Sequence, residues 1–193
     1  AIATLFAAEG AKVALFDRDA KLLAEVAQET GQPAIEVDVA DEVSVNAAVR
    51  QAAEALGAID GVVNAAGILR EQPFGVTTTA IYDAVMGVNL RGPFLVCQAA
   101  LRELLKAPAA TIVNIASNAA LNPHPGMAVY SASKAGLVAL SQAMAKELGP
   151  TIRVNAVCPG IIRTPMTANM WEQGGIGDAA VDATVALKRP GQP

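Results

Sequence analysis

A chain of 193 residues, 53% hydrophobic and 17% charged, is long enough for a sizeable core and lies far from the composition of disordered proteins. Aromatic residues supply only 4%, so that core is built from Ala, Val, Leu and Ile, which let helices lie close to a sheet. A net charge of -4 without a Lys/Arg cluster gives no reason to expect nucleic acid or a membrane surface, and with no apolar run of roughly 18 residues and no visible signal peptide the expected partner is a small molecule in the cytoplasm.

Ala1 to Glu9 reads as an amphipathic helix already in progress, and the first residue is not methionine. A strand is predicted from Lys12 to Phe16, closed by Asp17, then a helix from Ala20 to Glu29 and a strand from Ala34 to Val37. A helix from Val43 to Leu56, a strand from Gly61 to Asn64 and a long helical pattern from Thr79 to Lys106 follow. The last three elements are a strand from Thr111 to Ala116, a helix from Val129 to Leu148 and a strand from Arg153 to Val157. Strands without polar alternation, separated by helices, indicate a parallel sheet covered on both faces. The class is α/β, a doubly wound Rossmann-like sheet, and residues 1–193 read as one dinucleotide-binding domain. Right-handed crossovers gather the carboxyl ends of the strands along one edge, where ligands of such sheets bind. Asp17, Asp38, Asn64, Ser117 and Pro159 all fall there.

In a dinucleotide-binding unit, a carboxylate at Asp17 accepts hydrogen bonds from the adenosine ribose and repels a 2′-phosphate, which favours NAD over NADP. Arg18 beside it is the feature that would accommodate that phosphate, and Asp17 can equally cap the next helix, as can Asp19. Asp38 and Val39 offer a carboxylate and an exposed apolar group for the adenine ring, with helix capping the plainer role for the acids Asp38 and Asp41. Asn64, Ala65, Ala66 and Gly67 form a run of small side chains that lets a ligand approach the backbone, or simply a tight turn.

Pro93 interrupts the long helical pattern. It has no N–H for the carbonyl of Asn89, so a kink with a free carbonyl is expected at Asn89, or a helix end near Val88 that Asn89 caps. Cys97 and Cys158 lie in apolar surroundings without metal-ligand spacing and read as buried free thiols. His124 is the one histidine, so no histidine-based metal site or triad is expected. After the last strand, Pro159 and Gly160 permit a sharp turn, and the backbone near Ile162 or the Thr164 hydroxyl can meet an amide or phosphate. Met166, Met170 and Trp171, followed by Gly174 and Gly175, read as an apolar lid with a glycine hinge or as simple surface packing.

Tyr130 and Lys134 stand at i and i+4 on one helix face, with Ser117 at the end of the preceding strand. A nearby cation favours the ionised phenol, which makes a proton-transfer group of the pair. Taken alone, the pair reads as a packed tyrosine with a solvated lysine, and only its context overturns that.

Taken together and in this order, Asn64-Ala65-Ala66-Gly67, Asn89, Ser117, Tyr130-x-x-x-Lys134 and Pro159-Gly160 resemble the short-chain dehydrogenase/reductase family over essentially the whole chain. The resemblance implies that Tyr130 is the general acid/base, that Lys134 tunes it and holds the nicotinamide ribose, that Ser117 orients the substrate oxygen and that Asn89 fixes a water linked to Lys134. It further implies NAD-dependent oxidation of a small or medium alcohol or the reverse ketone reduction, and a homodimer or homotetramer at full length. The alternatives are a 3-oxoacyl thioester reductase using NADPH, a cofactor-binding protein without catalysis and an inert fragment. The family's first strand and glycine-rich turn would precede Ala1 and its last strand would follow Pro193, so a chain cut at both ends is expected. It would have a gap between the strand ending at Asp17 and that ending at Asn64, a weak fold and weak cofactor binding.

Overall fold

The computed structural model describes residues 1–172 and 177–193. Helix α1 spans Ile2–Ala8 and leads to strand β1, Leu15–Asp17. Where the sequence supplies an oxygen at a helix start, the fold uses it. Asp19 Oδ1 accepts from the N–H groups of Lys21 and Leu22, both at 3.1 Å, to open α2 at Ala20–Thr30. Asp41 Oδ1 accepts from Ser44 N–H at 2.7 Å to open α3 at Glu42–Leu56. Both helices stop on left-handed glycines, Gly31 at φ 68° and Gly57 at φ 80°.

All strand pairs are parallel, and they fall into two groups. Strand β1 pairs with β2, Ala34–Glu36, in the register Leu15 to Ala34. Strands β3, Gly61–Asn64, β4, Ala110–Ile115, and β5, Ile152–Val157, form a second sheet in that order. Among the described residues the break separates the strand ending at Asp17 from the one ending at Asn64, the place where a gap is expected. Helix α3 and the helix Gly92–Leu104 bridge it. Their apolar faces form one cluster with Ile35 and Val37 on one side and Ile112, Ile152 and Val154 on the other. Leu104 and Ile112 are both 0% exposed, and each contributes about 1.5 to 3 kcal/mol through burial.

Strand β1 begins later than the predicted Lys12, because the N–H of Val13 is held by the Gln32 side chain at 2.7 Å rather than by a strand partner. The other predicted strands and helices shift by a residue or so at their ends. The larger difference concerns the pattern from Thr79 to Lys106. It resolves into α4, Thr79–Met86, a π-helical turn over Gly87–Arg91, and α5, Gly92–Leu104, which carries Pro93 in its first turn. The chain widens instead of breaking, and Gly92 N–H reaches back to the carbonyl of Gly87. The continuous stretch Thr79–Leu104 has 26 residues and holds an 18-residue window of mean hydropathy 1.3, long and apolar enough by length and composition to cross a membrane, contrary to expectation; 44% of that window is buried inside the protein. It packs on α3, β3 and β4. Helix α6, Ala128–Leu148, lies against β4 and β5 and is followed after β5 by a 3-10 turn over Pro165–Met170 and by α7, Gly177–Thr184.

Candidate active site

The site is assembled where α6 meets the carboxyl ends of β3, β4 and β5. Lys134 is only 5% exposed. Its Nζ donates to the Ile115 carbonyl at 2.8 Å and lies 5.9 Å from the centre of the Tyr130 ring. Burial of the ammonium pulls its pKa from 10.5 down to about 8, partly opposed by the nearby Cys158 thiol. Burial raises the Tyr130 phenol, and a hydrogen bond from Ser117 acts in the opposite direction. Ser117 sits in extended backbone at φ -167°, and its Oγ also accepts from Ala119 N–H at 3.1 Å. Beyond the ends of β4 and β5 the backbones remain joined, through Ala116 N–H to Val157 O and Asn118 N–H to Pro159 O, both 2.8 Å. This seats Pro159 and Gly160 beside Ser117.

Asn89, in the π turn, is 0% exposed. Its side chain clasps the backbone of Ile68 from both sides, accepting from the N–H at 2.8 Å and donating to the C=O at 2.9 Å. Its Nδ2 also donates to Ser133 Oγ at 3.1 Å. Gly67, one residue before Ile68, lies between Asn89 and Lys134. A methyl group placed there would stand 3.5 Å from both Asn89 Oδ1 and Lys134 Nζ, and 3.9 Å from Met166 Cε. The loop after β3, the π turn, α6 and the segment after β5 therefore converge on one spot. Pro93 disrupts the helix at the expected place, and the Asn89 side chain has a role not visible in sequence.

Ala65 and Ala66 are exposed at the sheet edge, whereas Asn64 is buried and points inward. Its Nδ2 donates to Asn114 Oδ1 at 2.8 Å and to Cys97 Sγ at 3.2 Å, and Asn114 Nδ2 donates to Ser141 Oγ at 2.8 Å. This buried relay ties β3 to β4 and α6, and sequence reading missed Asn114, Ser133 and Ser141. A polar Asn114 inside the apolar run Thr111 to Ile115 was the available signal. Asp17 is exposed, with Oδ1 accepting from Asp19 N–H at 2.9 Å, and Asp38 is exposed, with Oδ1 accepting from Ala40 N–H at 2.9 Å. Val39 is not the exposed apolar group expected. It is half-buried against Gly92 at the start of α5. Cys97 is buried as expected, but Cys158 is only half-buried, because it lies past the end of β5 at the site.

After β5, the expected phosphate- or amide-binding segment is partly engaged with the chain itself. The Arg163 N–H donates to Gly191 O at 3.0 Å beside an Ile162 to Gly191 bridge, and the Thr164 N–H donates to Thr167 Oγ1 at 3.1 Å. The Thr164 hydroxyl stands 3.5 Å from that of Thr167. Gly160 faces open space. Met166 and Met170 belong to the 3-10 turn, and the Arg163 guanidinium stacks 4.4 Å over the Trp171 ring. The expected hinge at Gly174 and Gly175 lies outside the described residues. An open hollow of about 670 Å³ between Gln72–Phe74 and His124–Gly126 reaches Ala128 at the start of α6, though none of Ser117, Tyr130 or Lys134 lines it.

These residues fit a nicotinamide dinucleotide. The buried ammonium of Lys134 uses one of its three N–H groups on Ile115, leaving donors for ribose hydroxyls. The small exposed side chains at Ala65 and Ala66 leave the backbone approachable, and Asp17 ends β1 on the same class of edge.

The chain matches the family model described as short chain dehydrogenase over residues 1–175. It is 44% identical to 2-(R)-hydroxypropyl-CoM dehydrogenase of Xanthobacter autotrophicus, with 92% of this chain and 75% of that enzyme covered. It is 37% identical to a 3-oxoacyl-(acyl-carrier-protein) reductase of Bos taurus, covering 97% of this chain and 84% of the relative. Among solved structures, the 3-ketoacyl-(acyl-carrier-protein) reductase of Brucella melitensis complexed with NADH superposes with a TM-score of 0.91 at 32% identity, over 100% of this chain and 79% of that one. With a parallel α/β fold, a tyrosine-lysine pair on one helix and these relatives, the chain belongs to the short-chain dehydrogenase/reductase family of nicotinamide-dependent oxidoreductases.

Proposed function

We propose that residues 1–193 form one dinucleotide-binding unit that oxidises a small or medium secondary alcohol with NAD, or reduces the matching ketone with NADH. The observation that carries this reading is the grouping of Ser117, Tyr130 and a buried Lys134 at the carboxyl end of β4, with Asn89 and Gly67 beside the lysine. The nicotinamide ring supplies or takes up the hydride. Tyr130 Oη takes the alcohol proton in oxidation and returns it to the developing alkoxide in reduction. The Ser117 hydroxyl donates to that same oxygen and strengthens its hold as negative charge builds. The Lys134 ammonium, beside the ring, favours the phenolate and offers its remaining N–H groups to the ribose. Ala65, Ala66, Gly160 and Thr164 line the approach to the cofactor, with Asp17 at the adenosine ribose and Asp38 near the adenine.

The choice of NAD rests on the exposed Asp17 carboxylate, which repels a 2′-phosphate. A second reading, a 3-oxoacyl thioester reductase using NADPH, is favoured by Arg18 next to Asp17 and by the reductase names among the relatives. A panel of alcohols and ketones assayed with NAD(H) and NADP(H) side by side separates the two. Turnover of short secondary alcohols with NAD supports the first, and turnover confined to NADPH with 3-oxoacyl thioesters supports the second. In the first case Asp17→Asn narrows the preference for NAD. Exposed Tyr82 and Phe94 on α4 and α5 support assembly through the long helices, which sedimentation would test.

A further inference from the structure

We infer that Ser133 is a positioning residue for the catalytic tyrosine, acting through the π turn at Asn89. This rests on the oxidoreductase reading of Tyr130 above. Ser133 is 0% exposed and adjoins Lys134 in sequence. Its hydroxyl donates to the Tyr130 carbonyl at 2.7 Å and accepts from Asn89 Nδ2 at 3.1 Å. One continuous chain of bonds therefore runs from the Ile68 backbone through Asn89 and Ser133 to the turn of α6 that carries Tyr130.

That turn needs such an anchor. Met127, at the N-cap of α6, makes no side-chain cap hydrogen bond, so the first turn lacks that anchor. The lysine side chain is fixed through Ile115 and the tyrosine phenol meets Ser117, but neither bond is made by the backbone of that turn. A serine hydroxyl that bonds back within its helix can link to a neighbouring element only if that element presents a donor at the right height. The π turn does this, because its widened backbone places the Asn89 amide, also 0% exposed, against α6. Gly136, the next residue on the same side of α6, confirms how close the two elements lie. A methyl group there would stand 2.9 Å from Leu90 Cδ2. Ser131, two residues before Ser133, is also buried, but its hydroxyl has no hydrogen-bond partner among the described residues. Ser141, further along the helix, makes the same kind of pair with Asn114, but Ser133 is the serine that bonds the π turn.

The test measures kcat and KM for wild type, Ser133→Ala, Asn89→Ala, the double variant and Tyr130→Phe, on the best substrate from the panel. Ser133→Ala is expected to lower kcat about tenfold, the scale of a small misplacement of a catalytic group, with KM nearly unchanged. In the Asn89→Ala background the same substitution should cost less than about threefold, because the path through Asn89 is already cut. If Ser133→Ala does not fold, Ser133→Cys keeps the volume while weakening both bonds and carries the same expectation on kcat. Wild-type kcat in a folded Ser133 variant, or an equal loss in both backgrounds, overturns the inference. Loss in Tyr130→Phe without loss in Ser133→Ala rejects this role alone, whereas full activity in Tyr130→Phe rejects the oxidoreductase reading of the site as well.

Discussion

Lys134 carries the largest electrostatic strain at the site. Its folded pKa of about 8 lies below its ordinary 10.5. Between those values the unfolded chain binds more protons than the folded one, so this group makes stability rise with pH through the window from 8 to 10.5. Below pH 8 its buried charge costs on the order of 3 kcal/mol. Lys134→Met removes that cost and also the bond to Ile115, so a net gain of about 1 to 2 kcal/mol is expected at pH 7. Activity should be lost. Thermal unfolding of both proteins at pH 7 and pH 10.5 checks the sign. The variant should melt higher at pH 7, and the order should reverse at pH 10.5, where wild type is neutral but keeps its hydrogen bond.

At the scale of elements, the site depends on how closely helices approach the loops that follow the strands. Gly92 opens α5 under Val39. A Cβ there would stand 3.0 Å from Val39 Cγ2 and 3.3 Å from its carbonyl oxygen. The side chain can turn away, but the backbone oxygen moves only with the Asp38-Val39 loop. Overpacking at a buried helix start costs about 1 to 3 kcal/mol, against about 1 kcal/mol gained by replacing glycine in a helix. Gly92→Ala should therefore lower the urea midpoint by the equivalent of about 1 kcal/mol. Because the displaced loop lies on the side proposed for the adenine, KM for the dinucleotide should rise while kcat holds. An unchanged midpoint and KM would show that the contact is slack. The same dependence explains Val39. Nothing around it in sequence reveals that a glycine distant along the chain will bring a helix onto it.

Across the whole molecule, the class of fold was legible because it rests on local signals. β-Branched runs, caps such as Asp19 and Asp41, and glycines at helix ends placed nearly every element. The candidate site was legible where a motif is local, as in Tyr130 and Lys134 on one helix face. What stayed hidden depends on pairing across long separations. Asn114 was visible only as a polar residue in an apolar strand, and its partners Asn64 and Ser141 lie 50 and 27 positions away. Pro93 announced a disruption, but whether the helix kinks or widens depends on α6 packing against Leu90 and on Asn89 finding Ile68 and Ser133. The half-burial of Cys158 likewise follows from its place past the end of β5, not from its apolar neighbours. The central claim is that these distant pieces hold Tyr130 as the group that moves the substrate proton. The most direct test is the kcat of Tyr130→Phe beside wild type, with unfolding midpoints measured on both. A loss of at least about a hundredfold at an unchanged midpoint is expected; a folded variant turning over at near wild-type rates would show that Tyr130 does not move the proton.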